Sequence, residues 1–326
     1  MNRFKNIVCV VEPGETSKPA LERAVTLAEN NQASLTVVDV IERITAGIGM
    51  PEGGPNSAEL QAAMVDEHEQ RLRPLIEPYR KRINIELNVL KGESFLAIIR
   101  EVLRYGRDLV IKAPESPDWL DRVFGSEDMH LLRKCPCPVW LIRSGAPKSY
   151  RRILAAVDVN DGYLDVEQKT RRILNHKILE IAGSLALSEF AELHVVHVWD
   201  AVGESAMRGA FMSTPEDKVL AYVEQVRRQQ EQNLKGLLQE MDANLGSDAM
   251  RYLAAHQHLI KGWARKEIPA LVKQIDADLL VMGTVARTGV PGFIMGNTAE
   301  TILNQIDCSV LAIKPSGFKS PVTLED

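Results

Sequence analysis

The sequence has few cysteines, few aromatic residues and no long uncharged stretch. Its 326 residues include four cysteines, too few for a disulfide scaffold, and these are not arranged in a paired C-x₂-C zinc pattern. No uncharged stretch approaches the roughly 18 residues of a membrane span, and the first apolar run is shorter than a signal-peptide core. We therefore expect a reduced, cytoplasmic protein without membrane contact.

An excess of positive charge is also absent. The chain carries 39 basic and 44 acidic side chains, a net charge of −5. Such a surface offers no broad cationic face to a phosphate backbone, so we expect no direct contact with nucleic acid. Aromatic residues make up only 5% of the chain, which predicts an aliphatic core of the kind found in helix-covered parallel sheets. No Ser-His-Asp or paired-carboxylate signature is found, so no catalytic residue is predicted.

What the sequence does contain is an internal repeat. Ile7 and Ile153 each begin a short apolar run that ends in a carboxylate, and further matches follow in the same order. The separation between matching residues grows in steps and never shrinks, as a tandem duplication with loop insertions would leave it. We therefore predict domains over 1–145 and 151–316 and a tail over 317–326. Further matches are Leu35 with Leu193, Asp108 with Asp278, Gly125 with Gly296, and Cys137 with Cys308.

Each half alternates short β-branched runs with longer segments of helical period. This alternation predicts an α/β fold of two tandem, doubly wound, five-stranded parallel sheets with helices on both faces. Ligands of such sheets bind beyond the carboxyl ends of the strands, where the strand order reverses. The predicted strands are 6–11, 34–41, 84–90, 108–112, 138–142, 152–157, 192–198, 249–255, 278–282 and 309–313. The predicted helices are 17–30, 57–81, 93–105, 126–134, 167–187, 215–242, 264–275 and 297–306.

A glycine-rich loop follows the predicted strand 278–282. It runs from Gly283 to Gly296, and Asn297 with Glu300 three residues later has the spacing of a helix N-cap and its capping partner. Backbone amides and the positive end of the helix dipole make such a helix start a ready anion site. A tight turn followed by an ordinary cap is the alternative interpretation.

These residues give both halves a resemblance to domains of the universal stress protein family, whose fold is related to the adenine-nucleotide alpha hydrolases. The second half is similar to the family's nucleotide loop: glycine, two residues, glycine, nine residues, glycine, then serine or threonine. Here these positions are Gly283, Ala286, Gly296 and Asn297. The stretch 132–139 and the tail 319–326 resemble the tandem E subgroup in particular.

The resemblance implies that the second half binds ATP or a related nucleotide, with Mg²⁺ if the ligand is ATP. It places an aspartate after the first strand, a valine backbone at the end of the second, and the loop around the phosphates. Ala286 in place of a glycine and Asn297 in place of a hydroxyl residue lead us to expect modest affinity. The implied nucleotide-binding residues are Asp158, Val159, Val198, Gly283, Ala286, Arg287, Gly296, Asn297 and Thr298.

The corresponding loop of the first half departs further from this pattern. Ala113 aligns with Gly283, and Glu115, Asp118 and Asp121 place carboxylates where phosphates would lie. We therefore expect no ATP binding by the first half. The resemblance implies that it forms with the second half an internal copy of the dimer made by single-domain members. The final strands of the two halves are then expected to pair within the chain, while a homodimer of the whole chain stays open.

Four histidines of the second half are candidate metal ligands. His194 and His197, three apart on one predicted strand, should point to opposite faces, whereas His256 and His258, two apart, should share one. A zinc site that combines them with a cysteine is conceivable, but structural histidines are commoner. No metal site is therefore predicted, and zinc is not expected.

The leading functional hypothesis is a stress protein in which nucleotide binding by the second half modulates a resistance role through unknown protein clients. One alternative is an interaction scaffold without nucleotide, or a carrier of a ligand with an apolar portion. It is suggested by the glycine- and methionine-bearing segments 44–55 and 201–213, which could also be plain surface loops. A second alternative is a slow ATPase.

Overall fold

The computed structural model describes residues 4–12, 17–44, 57–115, 125–209, 212, 214–245, 253–284 and 296–324. In the first half the elements are β1 (Asn6–Val10), α1 (Lys18–Asn31), β2 (Ser34–Ile41), α2 (Ser57–Ile76), β3 (Ile85–Lys91), α3 (Ser94–Tyr105), β4 (Leu109–Lys112), α4 (Ser126–Lys134) and β5 (Val139–Leu141). In the second half they are β6 (Arg152–Val157), α5 (Asp165–Glu189), β7 (Glu192–Trp199), α6 (Glu204–Arg208), α7 (Glu216–Leu245), β8 (His256–Lys261), α8 (Ala264–Gln274), β9 (Leu279–Gly283), α9 (Asn297–Leu303) and β10 (Ser309–Ile313).

All the strands that the structure describes belong to one sheet. Their order is β3-β2-β1-β4-β5-β10-β9-β6-β7-β8, with parallel pairing inside each half. The halves meet through β5 and β10, which pair antiparallel with Trp140 opposite Leu311. The predicted α/β fold with parallel five-stranded halves is therefore confirmed. The strand order reverses between β1 and β4 and again between β6 and β9, which places the two expected ligand crevices there.

Aliphatic side chains form a core layer on each face of the sheet. Helix α3 shows why the sequence folds this way. Its buried residues Phe95, Ile98, Ile99 and Val102 recur at helical spacing and so form one apolar stripe against the sheet. The helix ends at Gly106, whose φ of +62° lies in the left-handed region that glycine adopts without strain.

The repeat is visible in a carboxylate that joins neighbouring strands in each half. Asp108 accepts hydrogen bonds from the amides of Lys5 and Asn6, at 2.6 and 3.0 Å. Asp278, the matching residue, accepts bonds from two successive amides at the start of β6, also at 2.6 and 3.0 Å. Because bonds to an ionised acceptor are strong, each carboxylate fixes the two strands that flank a crevice.

Ion pairs connect the halves on both faces of the sheet. On one face Arg23 of α1 pairs with Glu189 of α5, and its guanidinium carbon lies 3.8 Å from the centre of the buried Tyr150 ring. On the other face Arg133 of α4 pairs with Glu300 of α9. The two halves are therefore held together by side chains as well as by the β5–β10 ladder.

Two elements differ from the sequence predictions. Strand β8 was expected at 249–255, but the strand occupies His256–Lys261; residues 249–252 lie outside the described part of the chain. The prediction was wrong because β8 is an edge strand, and its alternating polar residues remain partly exposed rather than forming an apolar run. Helix α6 was not predicted, since it lies in a segment interpreted as a loop. Of the helices described, none has the length and apolar character needed to cross a membrane.

Candidate functional site

The predicted nucleotide residues converge at the carboxyl edge of β6 and β9. These strands are neighbours, with Ala156 opposite Met282, so Asp158 after β6 and Gly283 at the end of β9 lie beside each other at the sheet edge. The sheet topology thus brings together two residues that are 125 positions apart in the sequence.

The two ends of the glycine-rich loop meet at this edge. The amide of Gly296 donates a hydrogen bond to the carbonyl of Thr284, at 3.3 Å, and the amide of Thr284 donates to the carbonyl of Ile313 in β10. The loop between them, with Ala286 and Arg287, lies outside the described residues. The described ends of the loop therefore lie together beside β9 and β10, at the carboxyl edge of the sheet.

The two described loop glycines have different surroundings. A Cβ atom added at Gly283 would lie 2.7 Å from Cδ2 of Leu174 in α5, closer than packed carbon atoms approach. A Cβ added at Gly296 would meet no heavy atom within 4 Å, and its φ is −58°. A side chain at Gly283 would therefore force Leu174 to move, whereas Gly296 faces open space.

Asn297 does not cap helix α9, contrary to the sequence prediction. The N-cap residue is Gly296, in an extended conformation with ψ of 134°, and Asn297 is the first residue inside the helix. Glu300 does not close a capping box, because its carboxylate pairs with Arg133 across the junction between the halves. Asn297 and Thr298 are consequently exposed at the start of the helix, next to the loop.

Asp158 is held in a network of its own half. Its Oδ1 accepts bonds from the amide and side chain of Asn160, at 3.2 and 2.9 Å. Its Oδ2 accepts a bond from the Tyr163 hydroxyl at 3.1 Å and pairs with Arg171, whose guanidinium stacks 3.8 Å above the Tyr163 ring centre. Burial and the nearby Asp158 carboxylate raise the pKa of Tyr163. Asp158 is one-third exposed, so this network lines the crevice rather than the core.

Val159 and Val198 flank a buried histidine. His197 is fully buried in β7, and its Nε2 lies 3.0 Å from Oε1 of Gln230 in α7. Burial lowers the pKa of His197, which favours the neutral imidazole. The carbonyl of Val159 accepts a bond from Asn233 at 3.1 Å, and Val198 is the next-to-last residue of β7. His197 therefore connects β7 to α7, on the face of the strand opposite to His194.

A buried lysine lies beneath the loop ends. Lys314 directly follows β10; its ammonium contacts the carbonyl of Leu132 and lies 2.8 Å from the Thr284 hydroxyl. Burial lowers the pKa of Lys314 to about 8, against an opposing effect of the Cys135 and Cys137 thiols. Its hydrogen-bond partners, as far as the structure describes them, are carbonyl and hydroxyl oxygens without formal charge.

The carboxyl edge of the first half contains an internal ion pair between a buried lysine and a buried aspartate. Lys112 at the end of β4 lies 2.9 Å from Asp128 of α4, and both side chains are almost completely buried. The second Asp128 oxygen accepts bonds from the amides of Glu115 and Gly125, at 2.8 and 3.3 Å. Ala113 occupies the position of Gly283. The carboxylate that an incoming phosphate would have to displace is therefore part of the fold here.

The acidic side chains predicted in this loop are only partly described. Burial, followed by the neighbouring Asp128 carboxylate, raises the pKa of Glu115. Asp118 and Asp121 lie outside the described residues. The sequence prediction missed Lys112 and Asp128, although a lysine at the end of an apolar strand was a visible signal.

Three histidines and a glutamate meet at the opposite end of the second half. Nδ1 of His194 lies 2.9 Å from Nε2 of His258, and Nε2 of His194 lies 3.4 Å from the Glu192 carboxylate. The His194 and His256 rings stack with centres 4.7 Å apart. Burial lowers the pKa of both His194 and His258. The sequence analysis considered these histidines together, but it placed His256 and His258 beyond the end of their strand and so could not bring them into register with His194.

Comparison with known proteins identifies the sequence relationships of the chain. The sequence model described as the universal stress protein family matches residues 3–143 and 149–314. The chain is 31% identical over 326 residues to a universal stress protein E homolog of Haemophilus influenzae, covering 96% of this chain and 98% of the relative. It is 29% identical over 333 residues to universal stress protein E of Escherichia coli K12, covering 100% and 99%.

Solved structures show the same architecture. The crystal structure of a functionally unknown protein from Pseudomonas aeruginosa PAO1 is 28% identical, covers 96% of this chain and 94% of its own, and superposes with a TM-score of 0.65. That of a universal stress protein from Archaeoglobus fulgidus covers 95% and 98% with a TM-score of 0.61. At 17% identity the second similarity shows the fold alone.

Proposed function

Because the chain belongs to the universal stress protein family, we propose that it is a stress protein whose second half binds an adenine nucleotide at the carboxyl edge of β6 and β9. The ligand would be ATP with Mg²⁺ or a related nucleotide, and its binding would alter the association of the chain with protein clients. The first half serves as a structural partner in this proposal.

The observation that carries the proposal is the charge beneath the loop. Lys314 is buried with uncharged oxygen partners, one of which is Thr284, where the loop begins. A cation in a site of low dielectric attracts an anion more strongly than one in water does. In the first half the buried lysine at the crevice, Lys112 at the end of β4, is paired with a carboxylate, Asp128. The second half thus buries a cation whose described hydrogen-bond partners are uncharged, whereas the buried lysine of the first half is neutralised.

Asp158 supports the recognition of a sugar or base. Its carboxylate is an acceptor at the crevice and currently bonds to Asn160, Tyr163 and Arg171. Nucleotide hydroxyl groups are donors of the same kind as the Tyr163 hydroxyl. We expect a bound ribose to replace the Tyr163 bond, while Asp158 keeps its ion pair with Arg171.

Isothermal titration calorimetry of the full chain with Mg-ATP tests the proposal. We expect saturable heat at one site per chain, and loss of that heat in Gly296→Asp, because a carboxylate would then face the phosphates. The fold should persist, since a Cβ at Gly296 meets no atom within 4 Å. Gly145→Asp adds the same charge at an exposed linker position and should bind as the wild type does. Absence of saturable heat with the wild type would refute nucleotide binding.

Exposed apolar residues at the same edge favour a second candidate, a ligand with an apolar portion. Leu164 and Val166 follow β6, and Val202 follows β7; their side chains are 81%, 75% and 82% exposed. Apolar side chains that surround a crevice are typical of an interaction site. Mass spectrometry of small molecules released on gentle unfolding distinguishes the candidates: a released amphiphile supports this one, and a released nucleotide supports the first.

A further inference from the structure

We propose that Glu192, His194 and His256 form a binding site for a divalent transition-metal ion, with Zn²⁺ as the ion of best fit. The site lies at the amino-terminal ends of β7 and β8, at the outer edge of the sheet. His258 is its positioning residue.

The strand register places the three ligands on one face. His194 is paired directly with His256 in the parallel ladder, and Glu192 lies two residues before His194 on the same strand. Residues two apart on a strand share a face, so all three side chains project to the same side of the sheet. Their ligand atoms already lie within 4.8 Å of one another.

Closing the site requires only small movements. A tetrahedral ion with bonds of about 2.1 Å holds its ligand atoms about 3.4 Å apart. The His194 Nε2 to Glu192 Oε2 distance is already 3.4 Å. Glu192 and His256 are exposed and can rotate, whereas His194 is buried and supplies a fixed point.

His258 orients the fixed ligand. Its Nε2 lies 2.9 Å from Nδ1 of His194, which leaves Nε2 of His194 directed at Glu192. A histidine that binds a metal through one nitrogen commonly donates its other N–H to a neighbouring acceptor, and this bond fixes the ring and its tautomer. The neutral form of His258 provides that acceptor.

The donor set selects the class of ion. Two imidazoles and a carboxylate suit Zn²⁺ and related transition-metal ions, whereas Mg²⁺ and Ca²⁺ prefer oxygen ligands alone. Three protein ligands leave a coordination position for water. Arg152, which lies opposite Glu192 in the ladder, has its guanidinium 3.1 Å from the Asp276 carboxylate, and this ion pair offsets its charge.

The metal site is separate from the proposed nucleotide site. Val198 is six residues along β7 from Glu192, and at about 3.3 Å per residue the two ends are roughly 20 Å apart. Metal binding would join the edge strand β8 to β7 through side chains of both. Since the unfolded chain lacks this arrangement, the ion should stabilise the folded state.

Titration of the untagged, chelator-stripped full chain with Zn²⁺ tests the proposal, with Co²⁺ as a spectroscopic probe. We expect one ion per chain by calorimetry, a visible absorption band of tetrahedral Co²⁺, and a higher melting temperature with Zn²⁺. His258→Leu removes the acceptor of the His194 N–H and should weaken binding by about 10- to 100-fold, the effect of losing a partner of a ligand. His256→Gln removes a ligand and should weaken binding by more than His258→Leu does.

The control is His176→Gln. His176 pairs with Glu240 between α5 and α7, at 2.6 Å, away from the proposed ligands, so its loss should leave Zn²⁺ affinity unchanged. Because His256 is exposed, its substitution should preserve the fold, and circular dichroism checks this; Glu192→Gln is a second exposed variant. Failure of the wild type to bind one Zn²⁺ per chain, or equal affinity in His256→Gln, would overturn the proposal whatever the result with Mg-ATP.

Discussion

The two halves share a fold but differ at two matching buried positions beside their crevices, which are charged in the first half and apolar in the second. In the first half Lys112 of β4 meets Asp128 of α4. By strand register and helix start, the matching positions in the second half are Met282 and Ala299, which are buried apolar residues of the core. One half therefore contains a salt bridge where the other has two buried apolar residues.

This difference shows that the same edge of the fold can either carry its own anion or remain able to bind one. Asp128 neutralises Lys112 and also accepts two loop amides, so the first crevice has its anion built in. The second half has no carboxylate at the matching residue, Ala299, and instead buries the Lys314 ammonium among uncharged oxygens. A buried cation without a paired carboxylate is costly, and an incoming anion would lower that cost.

Breaking the ion pair should have the largest effect on stability. Asp128→Ala leaves the buried Lys112 ammonium without its carboxylate, and such a loss costs about 3–5 kcal/mol of unfolding free energy. Urea unfolding followed by circular dichroism measures this cost. A loss below about 1 kcal/mol would show that the pair does not stabilise the first half.

A double variant gives the first half the two residue types that the second half has at the matching positions. Lys112→Met combined with Asp128→Ala removes both charges and should recover most of the lost stability, because replacing a whole buried pair is often neutral. Full recovery is not expected, since the amides of Glu115 and Gly125 lose their acceptor, at about 1 kcal/mol each.

The buried lysine of the second half should make the free energy of unfolding depend on pH, by about 3 kcal/mol. The pKa of Lys314 is lowered from 10.5 to about 8 in the folded chain. Between these values the unfolded chain holds a proton that the folded chain has lost, so this residue makes stability rise with pH. From pH 7 to 10.5 the wild type should therefore gain about 3 kcal/mol relative to Lys314→Met.

The wild type is compared with Lys314→Met because other buried groups make stability fall, rather than rise, with increasing pH. Burial raises the pKa of the Cys9 and Cys308 thiols, so the unfolded chain loses those protons first and stability falls as pH rises. These groups are the same in both proteins. Parallel stability curves for wild type and Lys314→Met would contradict the assignment of a lowered pKa to Lys314.

Substitution of the loop glycines should have the smallest effects. Gly283→Ala places a Cβ 2.7 Å from Leu174 and should destabilise by about 1–3 kcal/mol through overpacking. Gly296→Ala enters open space and should change stability by less than about 0.5 kcal/mol. Thermal unfolding of both variants measures the difference. Similar losses in the two variants would argue against distinct roles for the two glycines.

Much of the fold could be predicted from the sequence because it depends on chain-wide pattern. The repeat and the alternating strand and helix periods were sufficient for the parallel sheets, and the resemblance to the family implied the pairing of the last strands, which β5 and β10 confirm. The approach of Asp158 to Gly283 followed from topology, since both lie just beyond neighbouring strand ends. These inferences needed no side-chain detail.

The sequence predictions were wrong where the structure depends on local backbone conformation or on strand register. Asn297 had the spacing of an N-cap, but Gly296 before it adopts the cap conformation. Strand β8 was misplaced because an edge strand can be polar. The contact between His194 and His258 depends on the register of two strands 64 positions apart, which a pattern read along the chain does not supply.

The join between β5 and β10 has a consequence for symmetry. Trp140 and Leu311 occupy matching positions of the two halves, and they face each other across the antiparallel ladder. In a dimer of identical subunits, the residue on the two-fold axis faces a copy of itself, and each mutation appears twice. Here an indole faces a smaller leucine, so the axis is only approximate. A single mutation therefore changes one crevice alone, and the two can diverge independently.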